Sequence, residues 1–344
     1  MDVIAGLSNA ERNALFTETA NRRGLNAQII EKDFWACWTL VQLFKLADIN
    51  KHLIFKGGTS LSKIYKVIER FSEDIDVAID KKYLGFGGEY DLRTFSAKDR
   101  DKIVSDLDNA CKETVQNFVF SALIESFSKV IGEQTVGKWQ LEIDEADPYG
   151  QTILFAYPRE NSLIAGLDYI KPIVRIELGA RPENQPVEKH LIESYAAEEF
   201  PQMFENPGSE ITILSVERTF WEKATILHDQ YHRADDYRTA DRISRHYYDF
   251  YKLVKAGVSK SAIENFALLE SVVINKKSFF YRAGAKYEEV LLGHIHLIPS
   301  PARLDALKRD YEKMNSMFFA KSPEFNEILE LLAELEKEIN LKFS

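Results

Sequence analysis

Two short stretches carry residue types that could act together. LIFKGGTSLSK, residues 53–63, ends an apolar run on Gly57 and Gly58 and continues with Thr59, Ser60 and Lys63; SEDID, residues 72–76, sets Asp74 and Asp76 two positions apart. Glycines at a strand-to-helix junction let the backbone bend sharply and let a phosphate approach its N–H groups. A helix opening near Thr59 adds unpaired N–H groups and a positive dipole end. The hydroxyls of Thr59 and Ser60 and the charge of Lys63 complete a triphosphate cradle. Two residues apart on a strand, Asp74 and Asp76 share a face and repel by about 0.2–1 kcal/mol. A hard cation relieves this, and Mg²⁺ favours one or two carboxylates with phosphate and water. A third carboxylate from a neighbouring strand, Glu177, completes a two-metal site that orients or deprotonates a hydroxyl nucleophile. Either half alone also fits a tight turn or a solvated edge strand; the ordered combination is rarer. It is no Walker loop, because no Gly-Lys-Ser/Thr follows a four-residue spacer.

The surrounding sequence supplies the frame. HLIF, residues 52–55, reads as a short strand, residues 59–70 as a helix capped by Thr59. DIDVAID, residues 74–80, alternates, with Ile75, Val77 and Ile79 on a core face and Asp74, Asp76, Ala78 and Asp80 on a wet one. Ser8 with Glu11 is a capping-box pattern that opens the first helix. Residues 27–47 carry Ile30, Phe34, Trp38 and Val41 at helical spacing and read as a long buried helix. Inside it Glu31, Lys32 and Asp33 form an internal ion pair or brace the diglycine loop, and bracing is the preferred reading. Residues 96–130 read as one or two helices, KWQLEID and QTILFAYP as paired strands around EADPYG. In PIVRIELG, residues 172–179, Val174, Ile176 and Leu178 point inward, Arg175 and Glu177 outward. FPQMFENPGSE, residues 200–210, marks a boundary between domains 1–205 and 206–344. A short ITIL strand and then mostly helix follow.

The GGTS and SEDID pair resembles the signature of the polymerase-β-type nucleotidyltransferase superfamily. FKGGTSLSKIYKVIERFSEDIDVAI, with EKDFW upstream, resembles more closely the AbiEii/AbiGii-type nucleotidyltransferase toxins of abortive-infection, type IV toxin–antitoxin systems. The resemblance implies an α/β (α+β) minimal nucleotidyltransferase core, a mixed sheet flanked by helices, with a mostly helical C-terminal part. It also implies NTP and Mg²⁺ binding, a cognate antitoxin, expected to be a transcriptional regulator, and an RNA acceptor such as the tRNA ends some members modify. Two downstream stretches bear on the site. SVERTFWEKATILH, residues 215–228, reads as a helix with Lys223 inside the stripe Val216, Phe220, Leu227; the lysine either snorkels or neutralises phosphate. YRTADRISRHYYDFYKL, residues 237–253, reads as a helix placing Arg238, Arg242, Arg245 and Asp249 on one face. That face is either an exposed ion-pair strip or the place where Arg245 and Asp249 line a nucleotide or acceptor site. The family has a lysine and an Arg…Asp pattern in such helices, so the resemblance makes Lys223 and Asp249 catalytic candidates and Lys223 and Arg245 nucleotide-binding ones.

The rest of the chain bounds these readings. Its 344 residues, 45% hydrophobic and 28% charged, have ordinary soluble composition and bury a core without staples. Cys37 and Cys111 are far apart, which fits a reduced, cytoplasmic setting. The sequence contains no signal-peptide pattern and no long apolar run, so no membrane is expected. A net charge of −10 is not that of an obvious nucleic-acid coat protein and argues neither strongly for nor against a polynucleotide substrate, whose contact needs a local basic site or Mg²⁺. HDQYH, residues 228–232, spaces two histidines like a zinc-hydrolase helix but lacks its glutamate, and GHIH, residues 293–296, lacks partners at familiar spacing; both read as structural. Two other functions use the same residues: a small-molecule nucleotidyltransferase of the antibiotic-modifying sort, and a nucleotide- or RNA-binding pseudo-enzyme.

Overall fold

The structure, a computed structural model, describes residues 1–72, 74–87, 92–134, 138–159, 171–235, 237 and 240–344. The chain forms two compact units that interleave along the sequence: Met1–Ile64, Ser72–Gly87 and Ser105–Ile213 make the first, Tyr65–Phe71, Gly88–Val104 and Leu214–Ser344 the second.

The described strands of the first unit are β1 (Leu53–Lys56), β2 (Ile75–Ile79), β3 (Gln140–Ile143), β4 (Thr152–Ala156), β5 (Ile173–Gly179), β6 (Val187–Glu193) and β7 (Gly208–Leu214). They form a mixed sheet in the order β3-β4-β5-β2-β1-β7-β6. At its centre β2 runs antiparallel to β1 and parallel to β5. The register sorts the strands into two faces. Phe55, Val77 and Leu178 lie in one cross-strand row, all buried. The adjacent row is Lys56, Asp76, Glu177 and Thr152, across β1, β2, β5 and β4. The polar face is not wet throughout, since Ala78 is buried.

Helices through residue 199 are α1 (Asp2–Ala5), α2 (Asn9–Arg23), α3 (Ala27–Phe44), α4 (Gly57–Lys63), α5 (Ala97–Glu113), α6 (Phe120–Ile131) and α7 (Tyr195–Glu199). The capping box is present, but it opens α2, because the short α1 precedes it. The α3 helix is buried from Ile30 to Leu43. Trp35 and Trp38 pack on Phe155 of β4, and Trp38 on Phe127 of α6 with ring centroids 4.5 Å apart. Each such side chain contributes on the order of 1.5–3 kcal/mol by leaving water. The expected helix over 59–70 is shorter and starts earlier. It spans Gly57–Lys63, with Lys56 as N-cap, and the chain then turns through Lys66 at a left-handed φ of 53°.

The second unit contains α8 (Val216–Tyr231), α9 (Arg245–Lys255), α10 (Val258–Glu264), α11 (Phe266–Phe279), α12 (Leu304–Lys313) and α13 (Phe325–Phe343). Phe220 of α8 meets Phe250 of α9 with centroids 4.7 Å apart, and the Trp221 indole N–H donates to the Ala262 carbonyl at 3.1 Å. The expected helix over 237–253 begins only at Arg245. Asp310 accepts the backbone N–H groups of Arg242 (2.7 Å) and Ser244 (2.8 Å), and Arg242 adopts a left-handed φ of 62°. That breaks the arginine stripe; Arg238 lies outside the described residues. Among the described residues no helix is long and apolar enough to cross a membrane.

The two histidine motifs meet in this unit. His228, His232 and His296 have ring centroids 4.7–5.8 Å apart, with His294 and His296 in a loop. His228 donates from Nε2 to the Lys286 carbonyl (3.1 Å) and accepts the His296 N–H at Nδ1 (3.1 Å), so both its nitrogens are engaged by backbone. Burial holds its imidazole down to about 4. Histidine in an unfolded chain titrates near 6.5, so between these values the unfolded state binds a proton the folded state refuses, and stability falls as pH falls. Urea melts at pH 7, 5.5 and 4.5 are expected to show wild type losing up to about 2 kcal/mol more than His228→Gln; parallel losses contradict this.

Candidate active site

The turn from β1 into α4 is built around a close approach. Gly57 has φ of 84°, and a Cβ placed there would stand 2.0 Å from Asp76 Oδ2 and 2.7 Å from Asp76 Cγ. The Asp76 carboxylate therefore occupies the space that any other residue at position 57 would need. Asp74 and Asp76 flank buried Ile75, and both are half-buried. The β2–β5 register places Glu177 directly beside Asp76.

The hydroxyls expected in a phosphate cradle turn out to brace it. Thr59 Oγ1 donates to the Asp74 carbonyl at 2.6 Å and contacts Ser72 Oγ at 3.0 Å; Ser60 Oγ donates to the Gly57 carbonyl at 2.8 Å. Both residues are buried. The Lys63 ammonium lies 2.7 Å from Asp33 Oδ1 and 3.5 Å from the centre of the Tyr195 ring. Burial opposes its charge, but the Asp33 carboxylate more than compensates and raises the ammonium above its ordinary range. Asp33 Oδ2 also accepts the Tyr195 N–H at 2.6 Å, so one carboxylate ties α3 to α4 and α7. Asp33 thus braces the diglycine helix, whereas Lys32 donates to the Lys171 carbonyl at 2.9 Å. Bracing thus takes up the hydroxyls of Thr59 and Ser60 and the ammonium of Lys63.

Glu177 is beside Asp76 in register, but its carboxylate is 3.0 Å from Arg175 Nε, and Arg175 also pairs with Asp144. Among the described residues no three His, Cys, Asp or Glu side chains converge closely enough to hold a metal ion. Mg²⁺, however, is ordinarily held by one or two carboxylates plus substrate phosphates. Asp74 and Asp76, with Asp76 packed against the Gly57 turn, supply the one or two carboxylates of that requirement; Glu177 is an adjacent carboxylate not gathered into the set.

In the second unit Lys223 and Asp249 are joined directly, Nζ to Oδ2 at 2.8 Å. Arg70 grips the same carboxylate through Nε (2.7 Å) and Nη2 (2.8 Å). Asp249 is fully buried. Burial works against its charge, yet Arg70 and Lys223 hold it well below the usual carboxylate range. Lys223 therefore does not snorkel: it is an ion-paired cation inside the helical stripe. Arg245 is the first residue of α9, one turn before Asp249.

A sequence profile described as the nucleotidyl transferase AbiEii toxin of type IV toxin–antitoxin systems matches residues 38–331. The chain belongs to the AbiEii family. It is a nucleotidyltransferase of the toxin class that defines that family. Among solved structures, MenT4, a nucleotidyltransferase toxin from Mycobacterium tuberculosis H37Rv, is similar at 14% identity, covering 98% of this chain and 99% of that one with a TM-score of 0.41. No curated protein sequence matches.

The AbiEii match begins after Asp33 and includes Arg70. Sequence reasoning missed Arg70 because its partner lies 179 residues away; the one available signal was an arginine four residues before Asp74 in an otherwise acidic stretch. Two stability measurements test the geometry. Gly57→Ala is expected to cost clearly more than Gly24→Ala, which has a similar φ of 63° but open space around its Cβ and so carries only the left-handed strain of roughly 1–2 kcal/mol. Equal costs in denaturant melts would rule out the Asp76 overlap. Asp249→Ala is expected to cost roughly 3–5 kcal/mol, because it strips two buried cations of their shared carboxylate, against a smaller loss for Lys223→Met, which leaves the Arg70 grip in place.

Proposed function

We propose that the protein transfers a nucleotide from an NTP to a hydroxyl of RNA, with tRNA the preferred acceptor, in a Mg²⁺-dependent reaction, and that a cognate antitoxin of the transcriptional-regulator type restrains it. The observation that carries this reading is the Asp76 carboxylate packed against the Gly57 turn: a site for a negatively charged ligand built next to a negative side chain makes chemical sense only with a cation between them.

In this reading the triphosphate lies along the backbone of Gly57 and Gly58, and Asp74 and Asp76 are the residues that hold Mg²⁺. The chemistry a bound Mg²⁺ supplies is neutralisation of charge on the triphosphate and its leaving group. The acceptor hydroxyl, oriented with help from Glu177, attacks the α-phosphate in line. A new oxygen–phosphorus bond forms, the bond to the β-phosphate bridge breaks, the hydroxyl proton passes to solvent or carboxylate, and pyrophosphate departs. Thr59, Ser60 and the Asp33–Lys63 pair keep the turn and β2 in place, which is where positioning enters the rate. Lys223, Arg245 and Asp249 belong to the reading through the family resemblance, with Asp249 the ion-pair partner of the buried Lys223. The residue pattern and the net charge of −10 are compatible with RNA only through such local cations.

Incubation with each α-labelled NTP, Mg²⁺ and total RNA is expected to label a discrete RNA band. Asp74→Asn and Asp76→Asn should each lower transfer by at least about 10³-fold with unchanged circular dichroism. Retained transfer in either folded variant refutes the assignment; label in small metabolites instead of RNA moves the acceptor to the antibiotic-modifying class.

A further inference from the structure

Glu177 is the carboxylate that the register sets beside Asp76, yet its side chain is occupied. Arg175, two residues earlier on β5 and on the same face, holds it at 3.0 Å through Nε and pairs through Nη1 with Asp144 just beyond β3. The two contacts differ in character. The Arg175 and Glu177 side chains are 38% and 42% exposed, whereas the Asp144 side chain is 10% exposed. Asp144 is itself fixed, its N–H donating to the Thr152 carbonyl at 2.9 Å and its Oδ1 accepting the Ala146 N–H at 3.0 Å. Arg175 is thus anchored at one end and holds Glu177 by a contact of the weak, solvent-screened kind.

We infer that Arg175 is a positioning residue acting through Glu177: it keeps this carboxylate away from Asp74 and Asp76 in the nucleotide-free protein and releases it when a nucleoside triphosphate arrives. This rests on the function proposed above and adds to it an order of assembly. Without substrate, the polar face around β2 and β5 carries Asp74, Asp76, Glu177 and Asp144, and Arg175 offsets part of their repulsion. A triphosphate brings several charged oxygens, and a guanidinium binds phosphate in a fork at least as well as a single carboxylate contact. Because Asp144 retains Arg175, giving up Glu177 does not leave the guanidinium without a partner. The freed Glu177 then stands one strand from Asp76, available to complete the three-carboxylate set only when substrate is present. This accounts for a register that juxtaposes the acids in a structure where no three acids converge among the described residues.

The test is Mn²⁺ binding, followed by electron paramagnetic resonance without turnover, in the presence and absence of a non-hydrolysable NTP analogue. Without nucleotide, Glu177→Gln is expected to leave the Mn²⁺ affinity of the wild type within about twofold, Arg175→Gln to tighten it about tenfold, and the double variant to lose that gain. With the analogue, Glu177→Gln alone should weaken binding by a similar factor. Lys56→Gln removes a cation from the register position on the other side of Asp76; any gain it produces should be indifferent to Glu177. Should Arg175→Gln not fold, Arg175→Lys, which keeps the charge but not the two-carboxylate reach, gives the same comparison. A gain that survives in the double variant overturns the role of Arg175, because it reduces to general electrostatics. Mn²⁺ binding unaffected by Asp76→Asn in every background overturns the metal assignment itself.

Discussion

A missing side chain is the constraint on which the first unit depends. At Gly57 the strand β1 ends and α4 begins, and the Asp76 carboxylate fills the volume a Cβ would take. Everything near this point serves to hold the two backbones at that separation. Thr59 ties the helix to the carbonyl of Asp74, Ser60 closes the turn on Gly57, and the antiparallel register sets Lys56 against Asp76. Behind them the Asp33–Lys63 pair fixes α4 to the most deeply buried helix of the unit. A buried ion pair is a poor source of net stability; its value here is directional, since the one Asp33 carboxylate joins Lys63 of α4 and the Tyr195 N–H at once.

The second unit repeats the theme with opposite polarity. There a single buried carboxylate, Asp249, organises two cations, Arg70 and Lys223. Arg70 leads within four residues of chain to Asp74. The covalent path between the ion cluster and the aspartate pair is therefore short, although the cluster is assembled from three distant parts of the sequence. The arginine strip expected on one helix face is replaced by a helix start that Asp310 organises from outside.

Much of the frame was legible from spacing. Alternation identified β2 and β5 and their inward residues, the capping box marked the start of α2, and periodicity located α3. These succeed because burial on one face acts residue by residue along an element. What spacing left out has a common origin. Thr59 was taken as the helix cap because its type suits one, but Lys56 takes that place and the Thr59 hydroxyl finds a backbone carbonyl across the turn. The position of Lys63 one turn into the helix gave no sign that it would meet Asp33, thirty residues earlier. Glu177 was rightly placed on the outward face of its strand, but nothing in its flanks indicated that Arg175 would take its carboxylate.

The sequence by itself determined the family, the order of strand, diglycine turn, helix and acidic strand, and which face of each strand is apolar, because those properties reside in residue types at fixed short spacings. The tertiary structure alone decided which charges meet. Asp33 with Lys63, Arg70 and Lys223 with Asp249, and Arg175 with Glu177 and Asp144 are selected by where the backbone carries them once the core has closed. A charged group takes whichever partner burial leaves within reach, and only the packed chain specifies that distance.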